Sequence, residues 1–378
     1  MYDLPVRIII AAMIVFVLIW MYEKWQHRRN LSAIPIRIMV NGTRGKTSVT
    51  RLIAAILRES GKRTWAKTTG TQAAWIMPDG SETEYRKKNL PVNIREQIPF
   101  VRKARRDGAE AIVVECMALH PENQLMMANE FVRPTIGVMT NARVDHVSEI
   151  GATEEETVGT LSLSICAGEK VVTGDVRFDK YTPDRIDPDN EELPVGYLES
   201  FSYPMFEDNV RQALGVAKIL GIDRETAMRG MLKAQPDVGM RGPFFVGDCF
   251  VINGFAANDL GSSTVLYEKS VRETGLEDAP VYVLFNNRSD REFRLGEFLP
   301  LVKMLGEKGA KVRVIGENRE KSARFFHKKA GVEAAPVDGA PLEWLNTLAG
   351  EKCVVMCIGN IKGSAREMIE LLSKRDAC

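Results

Sequence analysis

The chain has 378 residues, 45% hydrophobic and 27% charged. These globular proportions exclude wholesale disorder, allow a sizeable core and suggest two medium domains. Lys plus Arg number 51 against 50 Asp plus Glu, without the basic excess or cluster of a nucleic-acid binder, and the six cysteines form no C-x-x-C pair, reading as free thiols of a reducing compartment.

Leu4 to Tyr22 is apolar but for Arg7, about the ~20 residues a helix needs to cross a hydrocarbon core. A cleaved signal peptide would end in a small-x-small site. Instead Trp20, Tyr22 and Trp25 follow, residues that favour a membrane interface. Lys24, Arg28, Arg29 and Arg37 then outnumber Arg7, so the positive-inside rule predicts a single-pass anchor with the remainder of the chain in the cytoplasm.

After this anchor and basic stalk (1–33), alternating elements predict an α/β fold. Ile36 to Val40 reads as a strand and Thr47 to Ser60 as a helix closed by Gly61. Strands are expected at Ala111–Glu115, Thr135–Thr140 and Lys170–Thr173, with a helix around Ile94–Arg106 and a helix pair from Asp208 to Leu232 broken at Gly221. Strands separated by helices imply a parallel sheet covered on both faces. Pro183 to Pro194 is acidic and reads as a surface loop. The turn-rich stretch Gln235 to Gly239 marks a boundary, dividing a central domain (34–240) from a smaller Rossmann-like α/β domain (241–378). The latter has strands at Phe250–Asn253, Val281–Phe285, Lys311–Ile315 and Cys353–Ile358.

Between the first strand and helix lies Asn41-Gly42-Thr43-Arg44-Gly45-Lys46-Thr47-Ser48. A Gly-containing loop entering a helix presents backbone N–H groups and the positive end of a helix dipole to phosphate. Lys46 reaches the β and γ phosphates and the Thr47 hydroxyl ligates Mg²⁺. Val40 occupies the place of the first glycine of the usual motif, so this is a shortened loop. Glu115, at the carboxyl end of a parallel strand, sits where open α/β sheets bind ligands, and its carboxylate suits Mg²⁺.

The short loop resembles that of the Mur ligase superfamily, G-T-x-G-K-[ST]-[ST]. Lys67-Thr68-Thr69-Gly70-Thr71 is similar to the superfamily's Thr/Gly loop and Asn93-Ile94 to its G-N-I-G segment. Thr140 to His146 is similar to T-N-x-x-x-D-H, and Asn209 to Asp223 to a conserved-spacing helix of the superfamily. Glu115-Cys116-Met117-Ala118, Asn253 to Asp259 and Gly359-Asn360-Ile361-Lys362-Gly363, with the N-terminal anchor, resemble the ligase subunit of poly-γ-glutamate synthases, the PgsB/CapB family. The resemblance implies an ATP-dependent ligase that joins glutamate through its γ-carboxyl by way of an acyl phosphate, giving ADP and phosphate. It also implies partner membrane subunits.

By the same resemblance, the site comprises the ATP loop Gly42, Thr43, Arg44, Gly45, Lys46, Thr47 and Ser48. Arg241 and Asn258 are expected against the nucleotide, and Thr47, Glu115 and His146 on Mg²⁺, with Asp145 orienting the imidazole. Lys46, Glu115 and His146 are the catalytic set; Thr69, Asn93 and Arg288 are candidate substrate contacts. Many Mur-type ligases place a carbamylated lysine after the histidine. Here no lysine lies between His146 and Lys170, and Thr160 to Ser164 offers only hydroxyls. Ile36 already opens the phosphate-loop strand, which disfavours a UDP-sugar domain. Two alternatives stand beside this reading: a folylpolyglutamate-type ligase, and a membrane-tethered P-loop NTPase driving transport.

Overall fold

The computed structural model describes residues 3–70, 73–85, 93–144, 147, 149–201, 203, 205–257 and 260–375. The chain divides into two compact units, residues 1–200 with 205–235, and residues 201–204 with 236–378.

The first unit opens on α1 (Asp3–Ser32). From Val6 to Trp25 most of its large apolar side chains are at least half exposed, and the helix from Val6 to Ser32 is long and apolar enough to cross a membrane. The expected stalk is the continuation of this helix. His27, Asn30 and Leu31 are buried, and His27 Nε2 lies 3.0 Å from the carbonyl of Phe131.

A seven-stranded sheet forms the body of this unit. Its strands are β1 (Ile36–Asn41), β2 (Thr64–Thr68), β3 (Ala74–Ile76), β4 (Glu82–Glu84), β5 (Ala111–Glu115), β6 (Ile136–Met139) and β7 (Lys170–Val172), in the order β4-β3-β2-β5-β1-β6-β7. The five strands from β2 to β7 in that order are parallel, and β3 and β4 add an antiparallel edge. The helices are α2 (Lys46–Glu59), α3 (Gln97–Arg106), α4 (Pro121–Met126), α5 (Glu154–Ser162), α6 (Glu207–Ile219) and α7 (Arg224–Leu232). Strands β1 and β5 are buried on both faces, which is why they read as continuous apolar runs. The loop from Pro183 to Pro194 is tied down: Arg224 pairs with Asp189 at 2.6 Å and Glu191 at 2.9 Å.

The second unit carries β8 (Phe244–Val246), β9 (Cys249–Asn253), β10 (Val281–Asn287), β11 (Lys311–Gly316), β12 (Ala334–Pro336) and β13 (Cys353–Gly359) in the order β12-β11-β10-β13-β9-β8. All pairings are parallel except β8 with β9. Helices α8 (Leu260–Thr274), α9 (Arg294–Glu307), α10 (Arg319–Ala330), α11 (Pro341–Thr347) and α12 (Ser364–Arg375) surround it. Two apolar clusters sandwich the sheet, one led by Phe285, Phe298 and Phe326 and one by Phe255, Leu345 and Ile369. The five cysteines among the described residues are free thiols.

One buried carboxyl stands out in the first unit. Glu169 lies against Gly137 of β6, where an added Cβ would come 2.8 Å from Glu169 Oε1. Burial pushes this carboxyl up to about 8, against a smaller opposing pull from the backbone of Cys166. A raised acid binds its proton more tightly in the folded chain. Stability therefore falls as pH rises through the window from the ordinary glutamate value, about 4.5, to about 8, and the loss is complete above it. Glu169→Gln should raise Tm by roughly 3–6 °C at pH 8.5 and leave it unchanged at pH 4; equal Tm values at both pH values would contradict this account.

Candidate active site

The phosphate loop connects β1 to α2, and its shape is set by Thr140 and Asn141, just after β6, and by Asn209 of α6. Gly42 has φ +128°, and a Cβ there would fall 2.1 Å from Thr140 Oγ1. Gly45 has φ +81° at the helix cap, and a Cβ there would meet Asn209 Oδ1 at 2.6 Å. Both positions therefore require glycine for conformation and for space. Asn41 begins the loop with its side chain accepting from Gly42 N–H at 2.8 Å and donating to Gln124 and Ser164.

Asn141 latches the loop from across the sheet edge. Its Oδ1 accepts from the Thr43 hydroxyl at 2.7 Å and from Arg44 N–H at 3.2 Å, while its Nδ2 donates to the Arg44 carbonyl at 3.0 Å. Its backbone carbonyl accepts from Thr43 N–H, and the Thr140 hydroxyl donates to the Arg44 carbonyl at 2.6 Å. Gln212 of α6 holds Thr140 from behind through a 2.7 Å bond to its carbonyl. The T-N pair was visible in the Thr140–His146 segment, but neither residue stood among the expected site residues. Gln212 carried no sequence signal at all.

Lys46 folds back across the loop, donating to the carbonyls of Gly42 at 2.6 Å and Thr43 at 3.3 Å. Among the described residues no side chain caps α2, and its first turn holds no acidic residue. The first-turn N–H groups, which lack intrahelical partners, therefore suit an anionic ligand. Ser48 lies in that same turn. Beside it, Glu115 is 3% exposed. Both of its carboxylate oxygens lie 3.1 Å from the Thr47 hydroxyl, and Thr69 N–H donates to Oε2 at 2.6 Å. Thr69 thus enters the site through its backbone, as a brace for Glu115.

A second layer of charge backs this cluster. Lys67 is fully buried on β2, with its Nζ 3.4 Å from Glu96 Oε2, 3.7 Å from Met117 Sδ and 4.7 Å from the Tyr85 ring centroid. Asn93 caps the short helical turn that bears Glu96, its side chain accepting from Arg95 N–H at 2.9 Å. In the stretch that replaces the ligase lysine, Thr160 donates to Ile150 O, Ser162 to Val158 O and Ser164 to Leu161 O.

His146, Asp145 and Asn258 lie outside the described residues. Arg241 and Arg288 belong to the second unit. Asn253 Nδ2 pins the segment carrying Arg241 through its carbonyl at 2.8 Å. Arg288 pairs with Asp290 at 2.6 Å. In the Gly359–Gly363 segment, the carbonyls of Asn360 and Lys362 accept from Asn286 Nδ2.

Asn141→Ala removes three side-chain hydrogen bonds at once. We expect the Kd for ATP, measured calorimetrically, to rise about tenfold or more, and an unchanged Kd would show that the loop holds its shape without the latch.

Two family models match the chain: the Mur ligase middle domain over residues 40–159 and the poly-gamma-glutamate synthase CapB C-terminal domain over residues 244–375. PGA synthase CapB of Bacillus subtilis (strain 168) is 35% identical, over 96% of this chain and 96% of that protein. Capsule biosynthesis protein CapB of Bacillus anthracis is 33% identical, over 96% of this chain and 82% of that protein. Among solved structures, the bifunctional folylpolyglutamate synthase/dihydrofolate synthase of Yersinia pestis with AMPPNP and Mn ion aligns with a TM-score of 0.67 at 14% identity, covering 92% of each chain. MurF of Acinetobacter baumannii aligns at 0.63 and 12% identity, covering 92% of this chain and 79% of that one. These two likenesses establish a Mur-ligase-like α/β fold. The extent and identity of the sequence matches establish more: this chain belongs to the CapB family of poly-gamma-glutamate synthases.

Proposed function

We propose that this chain is an ATP-dependent amide ligase that polymerises glutamate through its γ-carboxyl. The observation that carries the reading is the Lys46 loop and the Thr47–Glu115 pair gathered at one end of a parallel sheet, in a chain whose relatives are CapB synthases. Those relatives, at 35% and 33% identity, favour poly-γ-glutamate over a folylpolyglutamate-type product.

A carboxylate is a poor electrophile at pH 7. Phosphorylation converts it into one: a γ-carboxylate oxygen attacks the γ-phosphorus of ATP, the bond to the β,γ-bridging oxygen breaks, and ADP leaves. The incoming amine then attacks the acyl carbon, loses a proton and expels phosphate. The first step presses two anions together, so the protein's task is charge neutralisation and alignment. Gly42 to Ser48 bind the phosphates, with Lys46 turning from the Gly42 carbonyl toward the γ-phosphoryl group. By the family resemblance, Arg241 and Asn258 would contact the nucleotide, and Thr69, Asn93 and Arg288 remain the candidate contacts for the acid substrate.

The donor atoms of Thr47 and Glu115 are all oxygen, which fits a hard cation. Among the described residues no three His, Cys, Asp or Glu side chains converge. One carboxylate beside one hydroxyl suits Mg²⁺, which is usually held by one or two carboxylates and completed by phosphate oxygens and water. Thr47 and Glu115 would hold it; by the family resemblance His146 would serve a second ion, with Asp145 as partner of its imidazole. Bound there, Mg²⁺ neutralises phosphate charge; Thr69 N–H keeps Glu115 aimed.

The N-terminal helix anchors the protein in a membrane, and the excess of Lys24, Arg28, Arg29 and Arg37 over Arg7 puts the catalytic units in the cytoplasm. One helix cannot form a pore for a polyanion, so other membrane subunits carry the polymer out. Anchor (1–33), ATP-binding domain (34–240) and C-terminal domain (241–378) are the working parts.

The test is ADP and phosphate release by the detergent-solubilised full chain, reconstituted with its membrane partners, with and without glutamate. Glutamate should stimulate release, and Lys46→Ala and Glu115→Gln should each cut it by 100-fold or more, in line with the usual loss of one preorganised charge contact, ~10²–10³. ATP turnover indifferent to glutamate would support the NTPase reading instead.

A further inference from the structure

The anchor reading says which side of the membrane the enzyme occupies; the packing of α1 says which end of the sheet looks at the bilayer. Resting on that reading, we infer that the catalytic edge of the first unit faces the membrane surface, so that glutamate is joined next to the lipid headgroups.

The argument is one of direction within a single compact unit. The lower end of α1 meets the amino ends of the strands. Arg37 Nη1 donates to the carbonyl of Ile34, at the turn that follows α1, at 2.6 Å, and Ile36 N–H donates to Glu110 O, just before β5. Helix α3 has the same polarity. Its carboxyl end lies at the start of β2, where Arg63 pairs with Asp107 at 2.7 Å. Its amino end lies at the far end of β2, where Glu96 meets Lys67. Arg95, at that amino end, is ion-paired with Glu23 of α1. Helix α1 therefore descends beside α3 and antiparallel to β1, and Glu23 stands level with the ends of the strands that carry Glu115 and the phosphate loop.

Lengths agree with these contacts. From Glu23 to Ser32 the helix descends about 14 Å at ~1.5 Å per residue, and from Ile36 to Asn41 the strand climbs about 17 Å at ~3.3 Å per residue. The loop after β1 thus returns to the height of Glu23 within about one helical turn. Immediately beyond Glu23, the exposed apolar surface begins: Tyr22 is 60% exposed, Phe16 73% and Ile8 61%. The bilayer that covers these side chains lies on the catalytic side of the sheet.

The joint is stiff. Glu130, in the helical turn before β6, pairs with Lys24 at 3.1 Å and Arg28 at 3.4 Å, and His27 is buried against Phe131. Leu125 and Met126 lie earlier on the same crossover, nearer the catalytic edge, and are 50% and 45% exposed. They are the apolar side chains this geometry brings toward the lipid interface.

The experiment uses the full chain in liposomes with an energy-transfer acceptor on the headgroups. A donor dye is attached either at Glu122→Cys, exposed at the start of α4 on the catalytic edge, or at Arg106→Cys, exposed at the opposite edge. Cys166 and Cys378 are first changed to alanine; the other four cysteines are buried. Transfer from position 122 should exceed that from position 106 at least twofold. Protein that floats with the liposomes but transfers equally from both sites, or more from 106, overturns the inference and leaves the anchor intact. Protein that fails to float overturns the anchor and the inference together.

Discussion

Val40 lies opposite Glu115 on one side of β1, and Asn41 lies opposite Met139 on the other. This register decides what meets at the sheet's carboxyl edge. Because the three strands are parallel and end at one height, the chain can leave β1 into the phosphate loop, end β5 with a carboxylate and follow β6 with Thr140 and Asn141, all within hydrogen-bond reach. A slip of one residue would turn Glu115 to the other face of the sheet and leave the Thr47 hydroxyl and Thr69 N–H without it. The apolar runs of β1 and β5, buried on both sides by helices, hold that register.

Polar contacts then transmit position from this edge to α1. Thr69 braces Glu115, and Thr69 follows the strand that carries Lys67. Lys67 holds Glu96, and the adjacent Arg95 holds Glu23 on α1. Burying a lysine is costly unless the charge is paired and surrounded by polarisable groups. Here a carboxylate, a thioether and an aromatic face share that work. The arrangement fixes the Glu115 side of the site relative to α1.

Local pattern made much of this legible. The strand ending at Glu115 appears at the expected residues, and the helix after the loop begins one residue earlier than expected. Both follow from uninterrupted apolar periodicity and from glycine at a turn. Strands β3 and β4 escaped notice because three residues show no periodicity, and because their pairing is antiparallel at a sheet edge. The lower part of α1 read as a stalk since its basic residues mask an inward face of His27, Asn30 and Leu31, a face defined only by the domain it packs on. The Asn141 latch spans almost a hundred positions of sequence, so although both segments carry motifs, nothing near either end announces that they bond to each other.

Activation of a carboxylate by phosphoryl transfer is the central claim, and it leaves an isotopic trace. With glutamate labelled by ¹⁸O in both carboxyl groups, the oxygen that attacks ATP departs with the phosphate when the amide forms. The account predicts one labelled oxygen in each phosphate released during polymer synthesis, read by mass spectrometry. Unlabelled phosphate, its fourth oxygen taken from water, would contradict it and mean that ATP is hydrolysed apart from the acid.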